Sequence, residues 1–214
     1  MPRAMEDIWP LVHAERAALI GDLEGLTDEQ WQQPSLADGW TVHDVAAHLV
    51  DNAHATGRYL LLAMARAWFD FDRQNDQGVA RHRGATPRET LDRLRAVAGS
   101  TAAPPRWLTA LPSRLVEEVA HGEDIRRPLG LTRNYPEAVL EAALFHQLGT
   151  PQAIGGGKHL RSLVTLTATD ADLVLGQGPV VTGPLLSLVL VATGRHVAVD
   201  DLSGPGVPLL SRAG

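Results

Sequence analysis

Gly39-Trp40-Thr41-Val42-His43-Asp44-Val45-Ala46-Ala47-His48-Leu49-Val50-Asp51-Asn52 carries the start of a helix and the first chemically suggestive side chain of the sequence. Thr41 and Asp44 stand as the first and last members of a capping box, the hydroxyl accepting from a free first-turn amide and the acid placed near the positive helix end. Trp40 before the cap and Val45 inside it have the spacing of a hydrophobic staple, which fixes how the chain enters the helix. His48 follows one turn after Asp44 and shares a face with Val45, Leu49 and Asn52, so its imidazole is directed inward.

Taken alone, an inward histidine is most often a buried ring with a hydrogen-bonded neighbour. A second stretch, Glu117-Glu118-Val119-Ala120-His121, alters that reading. Glu117 and His121 are four apart, about 40° apart around a helix, so both can reach one point. No two of the nine histidines are three or four apart, and Glu117/His121 is therefore the strongest pair of ligands on one helix. His48, Glu117 and His121 would supply two nitrogens and one oxygen to a divalent cation and leave a fourth position for water or substrate, as in catalytic sites. Glu118, three before His121, competes with Glu117 as the oxygen ligand or as a supporting acceptor. Asp44 could orient His48, although its cap accounts for it, and Asp124 reads as a residue of the helix end.

The 214 residues suffice for one large domain or a medium and a small one, with 44% hydrophobic and 21% charged residues, as in ordinary globular proteins. The absence of cysteine excludes disulfides, thiolate metal sites and a thiol nucleophile of the chain's own, so thiol chemistry would need a thiol brought in. A net charge of -6 gives no footprint for nucleic acid, and the basic knot Arg81-His82-Arg83 reads as solvated surface. No apolar window is long enough for a membrane span and the N-terminus lacks the apolar core of a secretory signal, so no membrane partner and a cytoplasmic location are expected. Abundant Ala, Arg and Gly with few Lys suggest a GC-rich bacterial coding sequence.

Apolar spacing predicts helices from Glu6 to Leu26, from Thr41 to about Phe69, from Thr86-Pro87 to Gly99, from Ser113 to Arg127 and from Pro136 to Leu148. Phe71 to Gly84 is polar and reads as a long excursion. After the Gly155-Gly156-Gly157 turn the pattern shifts to short β-type runs at 162–168, 173–175 and 180–181, an apolar helix from Gly183 to Thr193 ended by Gly194, and a final strand at Val197-Ala198-Val199. The expected fold class is α+β: a helical bundle over residues 1–150 carrying the metal site, and a small C-terminal α+β domain over 151–214.

Three segments, Trp31 to Asn52, Arg114 to Gly130, and Gly178 to Gly206 with its Thr193-Gly194-Arg195 motif, resemble the mycothiol-dependent maleylpyruvate isomerase family of the DinB-like metalloenzymes. The resemblance spans about residues 30 to 206. It implies a DinB-like four-helix bundle with a small C-terminal α/β domain, a divalent metal, usually zinc, and mycothiol as thiol cofactor or co-substrate. The family's metal ligands fall on His48, Glu117 and His121, and its C-terminal arginine on Arg195, which would clamp a substrate carboxylate; a helix-end arginine capping carbonyls is the structural alternative. A further family arginine beside the metal has Arg81 and Arg83 as candidates. The implied activity is cis-trans isomerisation, or S-transfer to a small electrophilic substrate, with a metal-bound thiolate as nucleophile. Metal-assisted hydrolysis and a non-catalytic binding or regulatory role are the rival readings, and the chain could act as monomer or homodimer.

Overall fold

The computed structural model describes residues 7–210, which fall into two compact units meeting between Arg133 and Asn134. Helix α1 spans Trp9–Glu24 and a one-turn α2 spans Asp28–Trp31, closed by a capping box between Thr27 and Gln30. Glu6, where the first helix was expected to begin, lies outside the described residues. Helix α3, Val42–Asn52, starts on the expected box: the Asp44 amide donates to Thr41 Oγ1 and the Thr41 amide to Asp44 Oδ2 at 2.9 Å. It stops at Asn52 instead of running on to Phe69. Thr56 caps a separate helix α4, Gly57–Arg66, by accepting from the Tyr59 amide. The shared apolar spacing across residues 53–56 hid this break.

The polar segment after Phe69, expected as an excursion, is helix α5, Phe71–His82, capped by Asp70. Its buried stripe against α3 is Gln74, Gly78 and Val79, two of the three not hydrophobic, which is why apolar periodicity misses it. Its anchor is Asp51 of α3, a buried carboxylate that takes hydrogen bonds from Tyr59 of α4 and from Gln74 and Arg81 of α5. Helix α6, Pro87–Val97, begins at Thr86 with proline at its first position as expected, and α7 covers Ser113–Arg126.

Helices α1, α3, α6 and α7 form a four-helix bundle in which α7 and α6 each pack on both α1 and α3. Leu19, Leu23, Val42, Val45, Ala46, Leu49, Leu91, Leu94 and Ile125 fill its interior. Helix α7 is also pinned by ion pairs: Glu118 to Arg16 and Arg126 to Asp22, both at 2.7 Å. The Arg16–Glu118 pair is buried on both sides, and removing one partner of such a pair costs about 3–5 kcal/mol.

In the second unit α8, Glu137–Gln147, buries Val139, Leu140, Ala143 and Leu144 and packs on α10, Leu185–Ala192, past the one-turn α9, Leu160–Leu163. That contact places α8 with the C-terminal unit, so the division falls at 133/134 and not at 150. Strands β1 (Thr165–Ala168), β2 (Val174–Gly176) and β3 (Val180–Gly183) form one sheet with β1 central, antiparallel to β2 and parallel to β3. The expected strand at 197–199 is instead part of a 3-10 turn, His196–Asp201, entered through left-handed Gly194 at φ 83. Only Ala198 of that trio is buried, and the bridge to β3 forms later, between Ser203 and Thr182. The short α11, Val207–Leu210, ends the described chain. No helix among the described residues is long and apolar enough to cross a membrane.

Two helical glycines should respond oppositely to alanine. A Cβ at Gly21 of α1 meets nothing within 4 Å, whereas one at Gly78 would come within 2.6 Å of the Asp51 carboxylate. By denaturant titration, Gly21→Ala should stabilise by about 0.5–1 kcal/mol and Gly78→Ala should destabilise by roughly 1–2 kcal/mol.

Candidate functional site

Helices α3 and α7 lie side by side in the bundle and turn three polar side chains toward one point. His48 Nε2 lies 3.8 Å from Glu117 Oε2, His121 Nε2 lies 3.4 Å from the same oxygen, and the two imidazole centroids are 4.7 Å apart in an edge-to-face arrangement. One ligand atom from each residue falls within 4.8 Å of the others, as needed to surround a single divalent ion. The Glu117/His121 spacing of one helical turn and the inward face of His48 produce this cluster as the sequence leads one to expect.

Each member is held by a neighbour that sets its orientation. His121 Nδ1 is 2.9 Å from Oδ2 of the fully buried Asp124, which leaves Nε2 toward the cluster. Glu117 Oε2 accepts from Asn52 Nδ2 at 2.7 Å, and Asn52 Oδ1 accepts from Arg114 Nη1 at 2.7 Å, a relay from α7 through α3 and back. The Trp40 ring packs 5.0 Å from that of His48 and its Nε1 donates to Asp76.

Burial lowers the basicity of His48 against the opposing pull of Glu117 and so favours the neutral ring, the form that ligates a metal. For Glu117 burial works against ionisation, but His121 and His48, together with the charge of Arg114, outweigh it and hold the carboxyl well below the ordinary range. The site therefore offers an ionised oxygen and a neutral nitrogen together. The Glu117 side chain keeps 30% of its surface exposed, so the cluster is reachable from solvent.

The remaining candidates separate cleanly. Glu118 turns to Arg16 and α1, and burial raises its pKa against the pull of that arginine. Asp44 caps α3 and pairs with Arg83 at 3.1 Å, and Arg83 Nε donates to His43 Nδ1. Arg81 donates to Asp51 and to the Tyr59 hydroxyl, whose pKa is pushed up to about 12 by burial and by Asp51. Arg195 belongs to the C-terminal unit, where its Nη1 donates to the Thr193 carbonyl at the end of α10.

Sequence reasoning left Asp124 as a helix-end residue and gave Arg114 and Asn52 no role. The signal was available: Asp124 lies three after His121, Arg114 three before Glu117 and Asn52 four after His48, each on the face of one of the three clustered side chains.

Residues 12–126, more than half of the chain, match the family described as the mycothiol maleylpyruvate isomerase N-terminal domain. Comparison with curated proteins gave no significant match. Among solved structures the chain is similar to a histidine-to-alanine mutant of the mycothiol-dependent maleylpyruvate isomerase, at 18% identity with a TM-score of 0.64, covering 95% of this chain and 93% of the other. It is similar also to that enzyme without the substitution, at 17% identity with a TM-score of 0.63 and the same coverage. At these identities the structures speak for the fold. The sequence match over the bundle and its inward-facing cluster identifies this chain as a member of the mycothiol maleylpyruvate isomerase family.

Proposed function

We infer that the chain is a metal-dependent enzyme of the maleylpyruvate isomerase type that uses mycothiol. The observation that carries this reading is the convergence of His48, Glu117 and His121 within 4.8 Å. Two imidazoles and a carboxylate are the donor set of open catalytic zinc sites, and the orienting contacts from Asp124 and Asn52 are those a ligated histidine and carboxylate require. A divalent cation held by His48, Glu117 and His121 would lower the pKa of a thiol bound at its open position, and so would supply the thiolate nucleophile that cis-trans isomerisation by reversible thiol addition needs.

The chain's own residues do the positioning. Asp124 fixes the tautomer of His121, the Arg114–Asn52 relay keeps Glu117 aimed and ionised, and Trp40 shields one face of His48 from water. Arg195 is the residue proposed to bind the substrate carboxylate, since a planar guanidinium suits two-point binding. An electrophile with a leaving group would make the same site an S-transferase.

Elemental analysis of untagged protein should find close to one divalent ion per chain, and His48→Ala should lose it. Asp124→Asn should keep the fold by circular dichroism and weaken metal affinity by about 10–100-fold. Dialysed enzyme assayed with maleylpyruvate should be inert until mycothiol is added and active afterwards; turnover without any thiol would point to hydrolysis. Arg195→Ala should raise KM for the acid substrate by at least about tenfold, the loss of roughly 1.4 kcal/mol of binding, with metal content unchanged; an unaltered KM would confine Arg195 to its contact with Thr193.

A further inference from the structure

The stretch Gly155-Gly156-Gly157-Lys158-His159-Leu160-Arg161-Ser162 of the C-terminal unit has no part in the metal cluster, yet it is held more tightly than a flexible link needs. A Cβ at Gly156 would run into the Thr150 carbonyl, and the Gly157 and Lys158 amides donate to the Gln147 and Thr150 carbonyls at 3.0 and 3.1 Å. The turn between β2 and β3 is pressed onto α9 in the same way. Gly178, at φ 124, would place a Cβ 2.6 Å from the Leu163 carbonyl, and the Gln177 amide donates to the Arg161 carbonyl at 2.8 Å. Residues of both turns and of α9 line one open cleft: Gln152, Lys158, His159, Arg161, Ser162 and Gln177 among them.

The charge of this cleft is one-sided. Lys158, the only lysine of the sequence, and Arg161 are exposed and have no ion pair among the described residues, and no carboxylate lines the cleft, although the chain carries a net charge of -6. Gln152 and His159 also form a wall of a second, more enclosed cavity of about 190 Å³, whose other sides include Leu160, Val191, Ala192 and Leu210. At that shared wall the Nδ1 atom of His159 is buried without a hydrogen-bond partner. Apolar walls with a few convergent polar groups are the make-up of sites for small organic ligands.

We propose that the cleft binds the phosphate group of a small, soluble phosphate monoester whose organic part occupies the cavity on the other side of His159. Two full cations match the charge of about -1.5 to -2 that such a phosphate carries at neutral pH, where a carboxylate carries only one. Arg161 offers a planar fork to two phosphate oxygens, Lys158 a point charge to a third, and the Gln177 side-chain amide a neutral donor. An apolar hollow of roughly 150 Å³ takes up a benzene ring, so the cavity admits a single ring or a short chain. A lipid phosphate has the same charged group, but its tails exceed that space.

Calorimetric titration of the full, zinc-loaded chain with phenyl phosphate should give one site with a dissociation constant at or below about 1 mM. Arg161→Gln and Lys158→Gln, both at exposed positions, should each weaken it at least about tenfold, and benzoate, with its single charge, should bind more weakly than phenyl phosphate by a similar factor. Folded His48→Ala should keep the phenyl phosphate affinity, which separates this cleft from an anion resting on the metal. Because Lys158 is the only lysine, its acylation by an N-hydroxysuccinimide ester can be followed by peptide mass spectrometry. That reaction should slow at least about fivefold in 10 mM phenyl phosphate, and it decides the matter where a variant fails to fold. Undiminished affinity in Arg161→Gln, an acylation rate that phenyl phosphate leaves unchanged, or loss of binding in folded His48→Ala would each overturn the proposal. Cosedimentation with phosphatidate vesicles in place of phenyl phosphate binding would overturn it as well.

Discussion

One hydrogen-bonded relay holds the candidate site in register: Arg114 to Asn52 to Glu117, leaving α7, crossing to α3 and returning within one helical turn. It fixes a carboxylate between two imidazoles that would otherwise have no reason to stay 4.7 Å apart across a helix interface. Ionised Glu117 and neutral His48 both follow from that arrangement, the first through its neighbours and the second through burial. Remove the relay and the oxygen is free to swing, because 30% of its side chain is already open to solvent.

The relay works only if the two helices cannot slide past one another. Helix α7 solves this with adjacent acids of opposite assignment: Glu117 faces α3 and the site, while Glu118, about 100° further round, is locked to buried Arg16 on α1. Arg126 to Asp22 fastens the other end of the same helix to α1. Helix α3 is fastened in turn at Asp51, one turn beyond His48, where a single carboxylate gathers partners from α4 and α5. Polar contacts thus set the register of a bundle whose cohesion comes from Leu19, Leu49, Leu94 and their neighbours.

Much of this was legible in the sequence because it is local. A capping box, an i, i+4 pair of polar side chains and a proline at a helix start are statements about neighbouring residues, and the cap of α3, the closeness of Glu117 to His121 and the start of α6 all stand where spacing puts them. What was hidden depends on contacts between distant segments. Helix α5 buries a glutamine and a glycine against Asp51, so its inward stripe carries no apolar signature. Val197-Ala198-Val199 has strand composition but follows a left-handed glycine and closes a turn instead. Asp124 reads in the sequence as a residue of the helix end, and it is the fold that sets its carboxylate against the ring of His121. The apolar stripe of the last helix before the glycine turn does not say which core it serves; the packing of α8 on α10 does.

The claim on which the account rests is that His48, Glu117 and His121 bind one ion together. X-ray absorption at the metal edge, combined with anomalous scattering from crystals of protein purified without chelators, tests it most directly. The account predicts one ion per chain with two nitrogens and one carboxylate oxygen at about 2.0–2.2 Å, belonging to these three residues. An ion bound elsewhere, or a site that stays empty in the presence of saturating zinc while the protein is fully folded, would contradict it.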